Sequence, residues 1–160
     1  MIIIYLLEME LDMQERDLQV FIDGTMHYFK QIAEESAAVG TPYLLDTKST
    51  ICYDYTGIIG VSGRRKGCVY FTAPSIMLTH LLISMGEPEI TPENYCDIVG
   101  EVANTISGNA RQSFGKEFMI SVPIVIGGEP EQIKLPKDIL SFVIPINWRQ
   151  NDAALVISLE

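Results

Sequence analysis

The chain has only three cysteines, Cys52, Cys68 and Cys96, with no CxxC spacing and an odd count. No disulfide framework and no cysteine zinc site can be built from such a set. They read as buried or half-buried thiols in a reducing cytoplasm. The two histidines, His27 and His80, lack an H-x-x-x-H partner, so no metal-ligand set is offered. Basic side chains are scarce: 11 lysines and arginines stand against 21 acidic residues, for a net charge of −10. An acidic surface repels phosphate backbones and anionic bilayers, which argues against nucleic acid or membrane as the main partner. It leaves room for a partner with a local basic feature. No apolar run approaches the roughly 20 residues of a bilayer span. The N-terminal run at residues 2–7, in MIIIYLLEMELDM, has neither a basic flank nor a small-residue cleavage site, unlike a signal peptide. There is no Gly-rich phosphate loop and no linker rich in Pro, Gly or Ser.

What remains is ordinary for a globular protein, with 48% hydrophobic and 20% charged residues in a chain of 160, enough for one domain with a real core. Residues 1–12 read as an N-terminal extension or an extra strand, with Met13 as an alternative start, and residues 13–160 as a single domain. A helical pattern covers residues 17–39, where Leu18, Phe21, Ile22, Met26, Phe29, Ile32 and Ala33 recur at three- and four-residue steps. Gly40 and Pro42 close it. The extended piece PYLLD follows. Then come two β-rich runs around SGRRKG, a hairpin signal. Residues 74–85 form a second helix, opened by Pro74 and closed by Gly86.

The order then repeats. In TPEN, Thr91 is a candidate N-cap, Pro92 takes the first helical position and Glu93 lies in the first turn of a helix ending near Phe114. FMISVPIVIGG is extended, with Pro123 marking a bulge or an edge. FVIPINW and ALVISLE pair through the polar turn RQND. Helix, extended segment and hairpin thus occur twice, offset by roughly 75 to 82 residues, and such repeats are a primary fold signal. The expected class is α+β: two similar halves whose helices pack on one face of a largely antiparallel sheet.

The third helix carries the least stable stretch, GEVANTISGNA, residues 100–110. Gly in a helix interior costs about 1 kcal/mol relative to Ala, and Asn roughly half that or more. At about 100° per residue, Tyr95, Ile98, Val99, Val102, Ile106, Ala110 and Phe114 form a core stripe. Asp97, Glu101, Asn104, Gly108 and Arg111 form one line on the opposite side. Glu101 and Asn104 are three residues apart, so their Cβ atoms lie about 5–6 Å from each other and both can reach one small docked object. Gly100 and Gly108 leave bare backbone beside them. The plainer alternative is a solvated helix face, with the glycines easing its packing on the sheet.

The run DIVGEVAN, with Asp97, Glu101 and Asn104, resembles the acid-amide motif D/S-x-x-x-E-x-x-N of the CheC/CheX family of chemotaxis phosphatases. YTGIIGVSGRRKGCVYFTAP is similar to that family's first hairpin. GEVANTISGNAR followed by ISVPIVIGG is similar to its active helix and next strand. The likeness covers roughly residues 17–160 and implies the family's activity, removal of the phosphoryl group from the aspartate of a CheY-like receiver domain. It implies that Asn104 orients the attacking water and Glu101 pairs with the receiver's lysine. Asp97, Gly100, Gly108 and Arg111 would complete the partner-binding face. Mg²⁺ would belong to the phosphorylated receiver, this chain binding no cofactor of its own, and the protein would be a cytoplasmic homodimer. In the first half, aligning Gly24 with Gly100 sets Thr25 and Tyr28 opposite Glu101 and Asn104. A two-residue shift sets Asp23 and Met26 there. Neither frame holds an acid-amide pair, which fits the single-site CheX type.

Two function classes follow: a response-regulator phosphatase, and a non-catalytic adaptor that docks a receiver or signalling protein. The intact Glu101/Asn104 pair favours the enzyme. A small-ligand sensor finds no support. SGRRKG, with Arg64, Arg65 and Lys66, reads as a solvated hairpin turn, and Trp148 as a packing residue. ALVISLE is a suitable edge for strand pairing between subunits.

Overall fold

Alternating apolar residues on strands and a three-to-four repeat on helices meet in a two-layer arrangement. The computed structural model describes residues 13, 15–33, 35–45, 50–128, 133, 135 and 139–160. The N-terminal extension expected at residues 1–12 lies outside them. Helix α1 spans Glu15–Ala33, α2 Ser75–Ser84 and α3 Pro92–Phe114. The strands are β1 (Ala38–Val39), β2 (Tyr43–Leu44), β3 (Tyr55–Gly63), β4 (Gly67–Ala73), β5 (Phe118–Ile120), β6 (Ile124–Gly127), β7 (Ser141–Trp148) and β8 (Asn151–Leu159).

Among the described residues these strands make one antiparallel sheet in the order β1-β7-β8-β4-β3-β5, with β2 also on β7 and β6 also on β3. The expected two-half α+β fold is present, and the halves exchange strands. The short strands of the first half pair with the second half's hairpin, and those of the second half pair with the first half's hairpin. The centre is β4 against β8, with Tyr70 opposite Val156 and Phe71 opposite Leu155. Odd-numbered residues Val69, Phe71, Leu155 and Ile157 face the helices, while Tyr70, Ala154 and Val156 face the other side, beneath Ile51 and Tyr53. Both faces of β8 are therefore covered. Its apolar run is that of a central strand, so ALVISLE is not an edge. Among the described residues the open edges are β1 and β2 on one side and β5 and β6 on the other.

Other boundaries differ from the sequence reading for local reasons. Helix α1 stops at Ala33 rather than Val39, because Ala38 and Val39 pair with Asn147 and Ile146 of β7. The Trp148 Nε1–H donates to the Glu35 carbonyl at 3.1 Å, which secures the chain between them. The last hairpin turns on two residues, Arg149 and Gln150, with φ of 49° and 65°. This left-handed pair matches the twist of the flanking strands, and Asn151 and Asp152 join β8. The segment from Phe118 to Gly127 is broken rather than continuous. Residues 121–123 bulge outward while Ile120 pairs with Val61 and Ile124 with Ile58. The Ser121 hydroxyl accepts from the Gly60 N–H at 2.8 Å, replacing a ladder bond. Pro123 thus sits both at a bulge and on an edge.

Helix starts follow the expected chemistry at α3. The Thr91 side chain accepts from the Asn94 N–H at 3.3 Å, Asn94 returns the bond, and Pro92 follows the cap. At α2 the Asp54 carboxylate accepts the Ser75 N–H at 2.8 Å. The three cysteines are free and half-buried. Burial pushes the Cys68 thiol up to about 11.

Helix α3 lies unusually close to β3. A Cβ built on Gly57 would stand 2.6 Å from the Val99 carbonyl oxygen, so only glycine admits the helix at this height. Gly57→Ala is expected to lower the unfolding free energy by about 1–3 kcal/mol through overpacking. A lower urea midpoint at unchanged m-value would show it. A wild-type midpoint would mean that the helix lifts off at no cost.

Candidate functional site

The buried side of α3 decides where its other side points. Ile98, Val99, Val102, Ala103, Ile106 and Ala110 are fully buried against the sheet and α1. Gly100 is buried too. A Cβ there would come within 3.0 Å of Val125 and 3.4 Å of Pro123. Its expected place on the partner-contacting face is therefore corrected: Gly100 seats the helix on β6 and the bulge before it. Gly108 behaves differently, with nothing within 4 Å of an added Cβ.

On the outward side Asp97, Glu101, Asn104 and Arg111 are all exposed, as the helical spacing requires, and Gly108 lies half-buried among them. Glu101 and Asn104 make no hydrogen bond or ion pair to any other described residue. Toward the C-terminal end of the line, Gly108, Arg111, Gln112, Gly115 and Lys116 border an open depression of about 420 Å³. The face is acidic at one end and basic at the other, with the amide of Asn104 between them. Side chains of this kind, held on a rigid helix and otherwise unengaged, can bind a water, a lysine or a phosphoryl oxygen supplied by a partner. Among the described residues no group of three or more His, Cys, Asp or Glu is placed to hold a metal ion. Nor is any described helix long and apolar enough to cross a membrane.

Helix α1 braces α3 from the side. The Phe21 and Phe114 rings lie 5.9 Å apart. Gly24 faces Ile106 and Asn109, and Tyr28, one turn further, lies within range of the Glu101 charge. The helices therefore run antiparallel. Tyr28 is 3% exposed and its hydroxyl has no hydrogen-bond partner among the described residues. Burial first, and the Glu101 carboxylate second, hold its phenol well above the ordinary range. Nothing in the local spacing around Tyr28 marks it, because its nearness to the Glu101 charge arises only once α1 crosses α3.

Burial also separates the two alignments of the first helix. Thr25 and Tyr28 are buried, Thr25 donating to the Phe21 carbonyl at 2.8 Å. The exposed counterpart of Glu101 and Asn104 is instead the pair Asp23 and Met26, in line with Gln19 and Lys30. That face keeps an acid and lacks the amide. In the SGRRKG turn, Arg65 is not merely solvated. It pairs with Asp17 at 2.8 Å and lies over the Phe114 ring at 5.4 Å, tying the start of α1 to the end of α3. Arg64 and Lys66 are exposed as expected.

Comparison with known proteins follows the same lines. Residues 55–147, more than half of the chain, match the family model described as chemotaxis phosphatase CheX. A CheC-like superfamily protein from Shewanella sp. PV-4 is 27% identical, with a TM-score of 0.80 over 92% of this chain and 99% of its own. Two further structures share the fold. Chemotaxis protein CheX from Vibrio vulnificus is 22% identical, with a TM-score of 0.80 over 91% of this chain and 99% of its own. The Borrelia burgdorferi structure, a CheX-CheY-BeF3-Mg²⁺ complex, is 19% identical, with a TM-score of 0.74 over 89% of this chain and 97% of its own. No curated protein matches.

The two glycines of α3 give a direct check on this geometry. Gly108→Ala is expected to raise the unfolding free energy by about 0.5–1 kcal/mol, the helix-propensity gain at an unobstructed position. Gly100→Ala should fall below it in parallel urea titrations, because Val125 and Pro123 obstruct the new methyl. Equal gains would place both glycines on open surface.

Proposed function

The chain belongs to the CheX family of chemotaxis phosphatases, and from that premise we propose that it hydrolyses the aspartyl phosphate of a CheY-like receiver domain. Asn104 orients the attacking water and Glu101 anchors the receiver's active-site lysine. The observation that carries this reading is the exposed pair Glu101 and Asn104, one turn apart and unengaged on a helix whose opposite side is tightly seated.

The chemistry suits so small a set of residues. Phosphoryl transfer asks mainly for positioning and charge stabilisation. Water attacks phosphorus in line, the bond to the aspartyl oxygen breaks, and free aspartate and inorganic phosphate result. The neutral Asn104 amide holds that water through its carbonyl oxygen without repelling the phosphate, as a second carboxylate would. Glu101 supplies a charge pair across the interface, which sets register and specificity. Mg²⁺ is the receiver's, in keeping with the Mg²⁺ in the Borrelia complex with CheY. Asp97, Gly108 and Arg111 extend the docking face along α3. Residues 13–160 act as the single catalytic domain. The three free thiols suit a cytoplasmic setting, and the open edges at β1 and β2 or at β5 and β6 suit a homodimer.

Asn104→Ala is expected to reduce dephosphorylation of an Mg²⁺-loaded, phosphorylated receiver by about 100-fold or more, with stability raised by about 0.5 kcal/mol through the helix propensity of Ala. Glu101→Ala is expected to weaken receiver binding by about 10–100-fold. Phosphate release with and without each variant, alongside thermal melts, reads both. Wild-type turnover in Asn104→Ala would reject the site. Binding without any turnover by the wild type would make the protein an adaptor.

A further inference from the structure

A buried hydroxyl without a hydrogen-bond partner is rare in a folded protein and calls for a physical reason. Tyr28 has one among the described residues, at 3% exposure. Its ring is fixed edge-on to Phe29, with centroids 5.4 Å apart. Phe21 on Phe114 and Gly24 on Ile106 and Asn109 set an antiparallel crossing of α1 and α3, and continued one turn along α1 it brings Tyr28 within range of the Glu101 charge. Burial and the neighbouring carboxylate keep the phenol protonated at every working pH, so the group remains a donor. Glu101 is the reverse case, an exposed acceptor with no hydrogen-bond or ion-pair partner among the described residues. While water surrounds Glu101, its carboxylate is solvated and its rotamers are open. A docked receiver removes that water.

Resting on the reading that Glu101 anchors the receiver, we propose that Tyr28 is a positioning residue for Glu101. On docking, its hydroxyl donates to the Glu101 carboxylate and holds it toward the partner's lysine. The hydroxyl then gains its missing acceptor, and the carboxylate keeps a hydrogen bond that desolvation would otherwise remove. No bond is made or broken, and Tyr28 touches neither the water nor the phosphoryl group. The contribution falls on binding rather than on the chemical step, as expected of an interaction equal in ground and transition states.

The test is a double-mutant cycle of Tyr28→Phe and Glu101→Ala. It is read as the affinity for a receiver carrying beryllofluoride in place of its phosphoryl group, together with KM, kcat and thermal midpoint. Tyr28→Phe keeps the ring and removes one unsatisfied hydroxyl, so its midpoint should equal or exceed that of the wild type. Its affinity should fall about 3–10-fold, with KM raised in step and kcat near wild type. Placed on Glu101→Ala, it should add no further loss. Wild-type affinity in Tyr28→Phe, with Glu101→Ala impaired, would overturn the role of Tyr28 and leave that of Glu101 standing. The same loss in both backgrounds would mark Tyr28 as merely structural and overturn the proposal. Wild-type affinity in Glu101→Ala would overturn the anchor itself, and with it anything that positions the anchor.

Discussion

The backbone contact between α3 and β3 is the constraint on which the rest depends. Gly57 lets the Val99 carbonyl come within 2.6 Å of where any other residue would place a Cβ. Gly100 repeats the device one residue later against Val125 and Pro123. Without side chains between them, the helix has little freedom to rise, roll or slide. Each small residue removes apolar surface that could have been buried. The exchange yields rigidity, since close-packed backbone does not yield to small forces as a layer of side chains does.

That rigidity passes outward to the docking face. Val99 and Val102 fix the inner side of the same two turns from which Glu101 and Asn104 project. The Pro123 bulge is part of the mount, because residues 121–123 leave the ladder of β3 where α3 passes. From the side, α1 holds α3 through the Phe21 and Phe114 rings, and Arg65 fastens both helices at their far end through Asp17 and Phe114. A functional face made of two side chains needs such a mount, since an error of about 1 Å in placing a reactant can cost two orders of magnitude in rate.

The exchange of short strands gives the two halves the same strand pattern, β7 receiving β1 and β2 as β3 receives β5 and β6, but their helices are seated differently: α3 lies directly on β3 and β4, while α1 packs chiefly against α3. Their faces have diverged. One shows Glu101 and Asn104; the other shows Asp23, already hydrogen-bonded to Gln19 at 2.8 Å, and Met26. A thioether in the amide's place neither donates a hydrogen bond nor accepts one strongly, so the second face has an acid with no group to hold a water.

The helical spacing of α3, its Thr91 and Pro92 start, the two hairpins and the single line from Asp97 to Arg111 were all legible in the chain. They are written in local periods and caps, which depend on neighbours within a turn or two. So was the repeat of helix, extended segment and hairpin. What spacing left open was settled by partners distant in sequence. It did not separate Gly100, which packs, from Gly108, which lies open, because the difference is made by Val125 and Pro123 on another strand. It carried the first helix to Val39, where pairing with Ile146 draws the chain into the sheet, and it took the apolar end of β8 for an edge although β4 and β7 flank it. It gave Tyr28 no mark at all. The sequence by itself determined which residues share a face; only the tertiary structure decided what each face meets, because burial and contact are set by chain segments far apart in sequence.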